Sequence, residues 1–371
     1  MSASSQPGVT PVVLLAAGGT GGHLFPAEAL AGALSARGIV VDLATDERAA
    51  RYAGHFPARQ IHILPADTVR SRSPLALART ALSLGSGIAR GVGLMRRLRP
   101  AVVVGFGGYP TVPPILAGVI GGRPTLIHEA NAVLGRANAL LAPRVTAIAT
   151  GYPDILAARP ALAAKARHTG NPVRPAVLAV TGVPFAPMAG ETFHLLVFGG
   201  SQGASVMSAI VPPAVARLAP ALRARLSIVQ QCRQEDLARV ETAYAELGVR
   251  AELAPFFADL PARMARADFV VARSGASTVA ELCVIGRPSL LVPLPHALDQ
   301  DQLANARALA DAGGALLVPQ STFTPERLAA ELERVAATPE PLLAMATAAR
   351  RLGRPDAAER LADLVAELGG L

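Results

Sequence analysis

Short aliphatic runs alternate along the chain with longer alanine- and leucine-rich stretches of helical period. The runs at residues 11–17, 39–44, 101–104, 124–128, 145–149, 193–198, 226–230, 250–254, 268–272, 288–292 and 315–318 predict strands. Regular alternation of strands with helices predicts parallel sheets covered on both faces. Residues 181–191 hold Pro184, Pro187 and Gly190 without any period and read as a linker. The stretch 342–368 reads as amphipathic helix able to pack on either half. The pattern predicts an α/β chain of two Rossmann-like, doubly wound domains. They are expected at 1–175 and 176–349, with a C-terminal helix at about 350–371 packing back on the first.

Two glycine turns of one design punctuate this pattern. GGTGGH, at 18–23, follows the first strand run, and GGSQGA, at 199–204, follows the run at 193–198. A turn without Cβ atoms lets a phosphate or sugar approach the backbone, and the helix behind it favours negative charge. One such turn in each half predicts two nucleotide-type domains facing a shared cleft. The first turn fails the dinucleotide fingerprint, because Leu24 stands at the third glycine position and Pro26 follows. A hydride-transfer cofactor is therefore disfavoured. His23 places a titratable imidazole at the mouth of that turn.

At 371 residues the chain exceeds one ordinary core, which suits two domains. Cys232 and Cys283 lack any metal-ligand spacing and read as buried thiols of a reducing compartment. No basic segment precedes the first apolar run, so a signal peptide is not expected. The uncharged stretch 101–122 is long enough to span a bilayer, but Pro110, Pro113, Pro114 and several glycines break it into pieces.

Further polar clusters stand at predicted strand ends, where the binding crevice of an open α/β sheet lies. GFGGYPT, at 105–111, follows one strand; His128, Glu129, Ala130 and Asn131 end the next. His128 and Glu129 read either as site residues or as a satisfied structural pair. RSGASTVAE, at 273–281, follows a strand and predicts a helix start at 274–278 with free backbone N–H groups for a diphosphate. Glu281 lies one turn deeper, within reach of a ribose diol. Asp299 and Asp301 form a DxD pattern just before a helix. Acidic residues cap helices often enough that a metal site is not assigned there.

Between Thr68 and His128 there is no acidic residue, yet Arg70, Arg72, Arg79, Arg90, Arg96, Arg97, Arg99 and Arg123 occur. Arg79, Arg90 and Arg97 share one face of a continuous helix, which Gly85 and Gly87 are expected to threaten. The face is either a solvated basic surface or a contact for anionic lipid headgroups. Nucleic acid is disfavoured, because aromatic residues to stack on bases are few.

GGTGGHLFPA, GFGGYPTVP, HEAN, GNPVR, GGSQGA, RSGASTVAE and the segment from Gln302 through Asn305 occur in an order and spacing that resembles the MurG family. These are the peptidoglycan N-acetylglucosamine transferases of glycosyltransferase family 28, and the resemblance covers essentially the whole chain. It implies the two-domain glycosyltransferase-B fold. It also implies inverting transfer of N-acetylglucosamine from UDP-N-acetylglucosamine to the 4-hydroxyl of an undecaprenyl-diphosphate-linked muramyl pentapeptide. Location at the cytoplasmic face of the bacterial inner membrane follows, with residues 70–99 on an anionic membrane surface and neither cofactor nor metal. By motif, the resemblance implies UDP-sugar contacts from Thr20, Gly21, Gly22, Asn131, Arg174, Ser201, Phe257, Ala276, Ser277, Thr278, Val279, Ala280, Glu281 and Gln302. Phe257 is placed beside the uracil. His23 suits the general base, since an imidazole titrates near neutral pH; His128 and Glu129 are expected to position the acceptor. Two departures occur: Ala130 where the family commonly has glutamine, and Thr111 where it has serine. Competing readings are a UDP-N-acetylglucosamine 2-epimerase, a diacylglycerol galactosyltransferase and a silent sugar-nucleotide-binding protein. His23 and Glu281 argue against silence, and the basic stretch argues against an epimerase.

Overall fold

The computed structural model describes residues 11–18, 21–47, 56–66, 73–187, 190–200 and 203–371. The chain forms two compact units. One comprises 1–130, 134–172 and 356–371, the other 131–133 and 173–355.

The first unit is built on a parallel sheet of seven strands: β1 (Val12–Ala16), β2 (Val40–Thr45), β3 (Gln60–Ile63), β4 (Val102–Gly105), β5 (Thr125–Glu129), β6 (Ala147–Thr150) and β7 (Ala166–His168). Their order is β3-β2-β1-β4-β5-β6-β7. Successive residues of β1 face opposite sides. Val13 and Leu15 pack with Leu30 and Leu34 of the Gly21–Ala36 helix and with Leu361 and Val365 of the Ala357–Gly369 helix. Leu14 and Ala16 pack with Leu94, Met95 and Ile115 on the other side. Both faces are covered, which is why the strands read as unbroken apolar runs.

The second unit repeats the plan with β8 (Phe193–Phe198), β9 (Leu226–Gln231), β10 (Arg250–Ala254), β11 (Phe269–Ala272), β12 (Ser289–Leu291) and β13 (Ala315–Leu317). Their order is β10-β9-β8-β11-β12-β13, again all parallel. In each sheet the order reverses beside the first strand, between β1 and β4 and between β8 and β11. The loops leaving the carboxyl ends of those strands flank the switch point, where ligands of open α/β sheets bind.

Three details differ from the sequence reading. β3 and β7 were not expected: they are the two edges of the first sheet, and their short QIHI and ARH segments carry too little apolar pattern to register. The glycines near residue 87 do not interrupt the Pro74–Leu98 helix. A Cβ on Gly87 would lie 2.1 Å from the Pro65 carbonyl oxygen, and one on Gly91 would lie 2.8 Å from Ala117 Cβ. These glycines let the helix approach its neighbours closely. The stretch 342–368 is two helices, Glu340–Leu352 and Ala357–Gly369. Pro355 cannot continue a helix, and a Cβ on Gly353 would lie 2.6 Å from the Cys283 carbonyl oxygen. The last helix is tied to the first unit by Arg37, which pairs with Glu359 at 2.5 Å and Asp363 at 2.7 Å. Among the described residues no helix is long and apolar enough to cross a membrane. Cys232 and Cys283 are buried free thiols.

Candidate active site

At the crevice of the first sheet, the loops after β1 and β4 meet. Gly18 lies against Pro110 and Asp46, where a Cβ would stand 2.9 Å from Pro110 Cβ and 3.0 Å from Asp46 Oδ1. His23, in the first turn of the Gly21–Ala36 helix, is half-buried, and its ring rests on Gly107 and Gly108. Those two glycines adopt φ values of 86° and 75°, and a Cβ on either would come within 3.3 Å of the imidazole. The GFGG turn is therefore the seat of His23, and only glycine combines this backbone with that contact. The ring hydrogen-bonds the Phe106 backbone, and burial pushes its pKa below the usual histidine value against that bond. Desolvation keeps the ring neutral and able to take a proton. Gly21 is half-buried and Gly22 exposed at the start of the same helix. Thr20 lies outside the described residues, as do Ser201, Arg70 and Arg72.

The end of β5 is a closed polar cluster. His128 has no exposed surface; its Nε2–H donates to the Gly170 carbonyl at 3.0 Å, and its ring lies 5.7 Å from that of Phe106. Burial pushes its pKa down to about 4. Glu129, 2% exposed, accepts through Oε2 from Gly135 N–H at 2.9 Å and from Asn138 Nδ2 at 2.8 Å. Asn138 also donates to the His128 carbonyl at 3.1 Å and stands beside Gly107. Of the two readings for His128 and Glu129, the geometry favours the structural one: both side chains are committed to neighbours and turned from solvent. Asn138 was missed, because a lone asparagine in the short Arg136–Leu141 helix has no signature. Thr111, at the serine position, donates from its hydroxyl to the Gly108 carbonyl at 2.8 Å and so braces the His23 seat.

In the second unit, the turn after β8 is closed by glycines. A Cβ on Gly199 would stand 2.3 Å from Ala204 N, and Gly200 and Gly203 have φ values of 88° and 67°. Beside it, β11 leads into the Ala276–Ile285 helix, whose N-cap Gly275 provides no side-chain hydrogen bond. Ser274 is not the cap: it is buried, and its hydroxyl donates to the Gln302 carbonyl at 2.8 Å. The first-turn N–H groups of Ala276, Ser277 and Thr278 have no acceptor within the helix, and all three residues are partly exposed, as is Ala280. Val279, 1% exposed, is a core side chain. Glu281, 4% exposed, takes both Nε and Nη2 of Arg174 on Oε1, at 3.1 and 2.8 Å. Burial raises its pKa while Arg174 opposes the rise. Arg174 thus acts first on Glu281.

Asn131 belongs to this unit and accepts on Oδ1 from Asn305 Nδ2 at 3.0 Å; Asn305, fully buried, also accepts from Ala132 N–H and donates to the Ser274 carbonyl. Gln302 accepts on its side-chain oxygen from Leu294 N–H at 3.1 Å, bracing the loop after β12. Arg273 steadies that loop too, donating to the Val292 and Pro293 carbonyls at 3.0 Å and to Gln320. Asp301, the first residue of the Asp301–Asp311 helix, accepts on Oδ1 from Gln302 N–H at 2.7 Å; the N-cap is Gln300, without a side-chain cap bond, and Asp299 and Gln300 adopt φ values of 61° and 54°. Phe257 is 7% exposed, with the Arg263 guanidinium 4.3 Å over its ring; Phe256, at 64%, is the outward ring. Asn305 and Arg273 sit inside motifs, but their partners lie elsewhere in the chain.

These two units match known domains. Residues 13–150 match the glycosyltransferase family 28 N-terminal domain, and residues 194–361 match the family 28 C-terminal domain. The chain belongs to glycosyltransferase family 28. Family 28 relatives extend over nearly the whole length. One is the UDP-N-acetylglucosamine--N-acetylmuramyl-(pentapeptide) pyrophosphoryl-undecaprenol N-acetylglucosamine transferase of Rhodopseudomonas palustris (strain HaA2). It is 60% identical over 362 residues, 97% of this chain and 99% of the relative. The transferase of the same name from Nitrobacter winogradskyi is 61% identical over 96% of this chain and 97% of its own. Among solved structures, MurG of Acinetobacter baumannii superimposes with a TM-score of 0.79 at 30% identity, covering 96% of this chain and 99% of that one.

Proposed function

We propose that this protein transfers N-acetylglucosamine from UDP-N-acetylglucosamine to the 4-hydroxyl of undecaprenyl-diphosphate-linked N-acetylmuramyl pentapeptide, with inversion at the anomeric carbon. The observation that carries this reading is the uncapped N-terminus of the Ala276–Ile285 helix with Glu281, buried and held by Arg174, one turn inside it. Free N–H groups and the helix dipole suit a diphosphate, and an oriented carboxylate suits a ribose diol. The near-full-length identity to transferases of this name supports the substrate pair.

In this mechanism the acceptor oxygen attacks the anomeric carbon as its proton passes to His23, and UDP leaves with the bonding electrons. The ring's seat on Gly107 and Gly108 and its neutral state at pH 7 support the role. Charge on the departing diphosphate is met by the helix N-terminus, so transfer needs no divalent metal. His128 and Glu129 keep the β5 end and its following turn in place. The reaction takes place at the cytoplasmic face of the inner membrane. The Pro74–Leu98 helix carries exposed Arg79, Arg90, Arg96 and Arg97 around Leu82, which is 76% exposed, and these meet anionic headgroups and the lipid interface.

Radiolabel transfer from UDP-N-acetylglucosamine to a short-chain lipid-linked muramyl peptide tests the activity. His23→Ala lowers kcat by about 10²–10⁴ and leaves UDP affinity nearly intact. Near-normal kcat in His23→Ala, with loss in Glu129→Ala, would move the base to Glu129.

A further inference from the structure

A second concentration of charge lies at the carboxyl end of the Ala276–Ile285 helix, opposite its uncapped N-terminus. Arg287 follows that helix and has no exposed surface. Its Nη1 donates to the Ile285 and Gly286 carbonyls at 3.2 and 3.0 Å, and its Nε to the Ala265 carbonyl at 3.1 Å. The Phe185 ring centre lies 4.9 Å from the guanidinium. Arg350, in the last turn of the Glu340–Leu352 helix, donates from Nη2 to the same Ile285 carbonyl at 3.0 Å. It packs on Gly286, where a Cβ would stand 2.7 Å from its Nε. Arg351 is exposed, and its guanidinium has no partner among the described residues.

Beside these arginines is a cavity of about 340 Å³, walled by Phe185, Gly286, Leu343, Thr347, Arg350 and Arg351, with no carboxylate in its lining. Capping of helix carbonyls accounts for part of this charge. A helix end carries only about half a negative charge, less than the full charge that each guanidinium brings. Asp268, the carboxylate that acts on Arg287, accepts His194 N–H at 2.7 Å. Burial and the neighbouring Arg350 charge push Arg287 down to about 10. The cluster therefore holds more positive charge than its surroundings compensate, and an anion in the cavity would relieve the repulsion.

We propose that this cavity is a phosphate-ester site, with the anion between Arg350 and Arg351 and the organic part against Phe185 and Leu343. A phosphate ester offers several charged oxygens to two guanidinium forks, and the Thr347 hydroxyl adds a donor. The site is separate from the donor crevice, since it lies at the other end of the Ala276–Ile285 helix. The same phosphate chemistry is carried by a soluble metabolite and by a lipid headgroup.

The test uses protein saturated with UDP, so that the donor crevice is filled. In one arm, glycerol 3-phosphate is titrated calorimetrically into wild type, Arg351→Gln and Arg354→Gln, with melting temperature measured in parallel. In the other, the same substitutions are compared for sedimentation with phosphatidylglycerol vesicles, in the Arg79→Ser, Arg90→Ser, Arg97→Ser background. Arg351→Gln should weaken glycerol 3-phosphate binding about fivefold with unchanged melting. Arg354→Gln removes a nearby charge outside the cavity and should bind like wild type. A loss confined to the vesicle arm assigns the phosphate to a lipid headgroup. Arg351→Gln matching wild type in both arms overturns the site, and so does an equal loss in Arg354→Gln, which reduces the effect to general surface charge.

Discussion

Replacing His128 with glutamine separates a buried packing group from a titrating participant, and the structure sets the size of the effect. The imidazole has no exposed surface and donates through Nε2 to the Gly170 carbonyl at 3.0 Å, while its Nδ1 is buried without a partner. Burial lowers its pKa from 6.5 to about 4. Between those values the unfolded chain binds a proton that the folded protein excludes. Stability therefore rises with pH across this window; the contribution is complete above pH 6.5 and is lost as the pH falls toward 4. The full difference amounts to about 3 kcal/mol, of which about 2 kcal/mol is lost by about pH 5. Glutamine places a donor near Nε2 but does not titrate. Urea unfolding of both proteins between about pH 7 and 5 should show wild type losing about 2 kcal/mol more than His128→Gln. Acid effects from other groups cancel in that comparison. Parallel lines for the two proteins would refute the argument, as would a ring titration by NMR with a midpoint near the unperturbed value. The same burial predicts that kcat shows no inflection belonging to His128 near neutral pH.

Two further outcomes follow from the proposed sites. Glu281→Ala should weaken UDP binding at least tenfold in a titration, since a charge-assisted hydrogen bond contributes about 1.5–3 kcal/mol; unchanged affinity would remove Glu281 from the ribose. Sedimentation with anionic liposomes should weaken with added salt and in the triple variant Arg79→Ser, Arg90→Ser, Arg97→Ser, each arginine contributing about 1 kcal/mol at low ionic strength. Equal binding to neutral vesicles would contradict the headgroup contact.

The sequence by itself determined the repeated strand–helix alternation, the position of eleven strands to within a residue or two, and the glycine turns at the strand ends. These are local properties: an aliphatic run buried on both faces, or a backbone angle that only glycine adopts freely, is encoded within a few residues. The edge strands β3 and β7 escaped, because a half-exposed strand is recognised only by the neighbour that pairs with it. What only the tertiary structure decided was partnership. Arg174 reaches Glu281 from 107 positions away, and Asn305 meets Asn131 across 174. Arg273 and Arg287, charged residues that sequence alone assigns to the surface, are buried against backbone carbonyls at loop and helix ends. His128 and Glu129 came to light as enclosed groups only once β5 was placed between β4 and β6. The last helix joined the first unit because Arg37, Glu359 and Asp363 converge there, with Leu361 and Val365 beneath them. Period and composition specify an element and the face it must bury. The order in which strands assemble specifies what that face meets, and with it the burial, charge state and chemistry of each side chain.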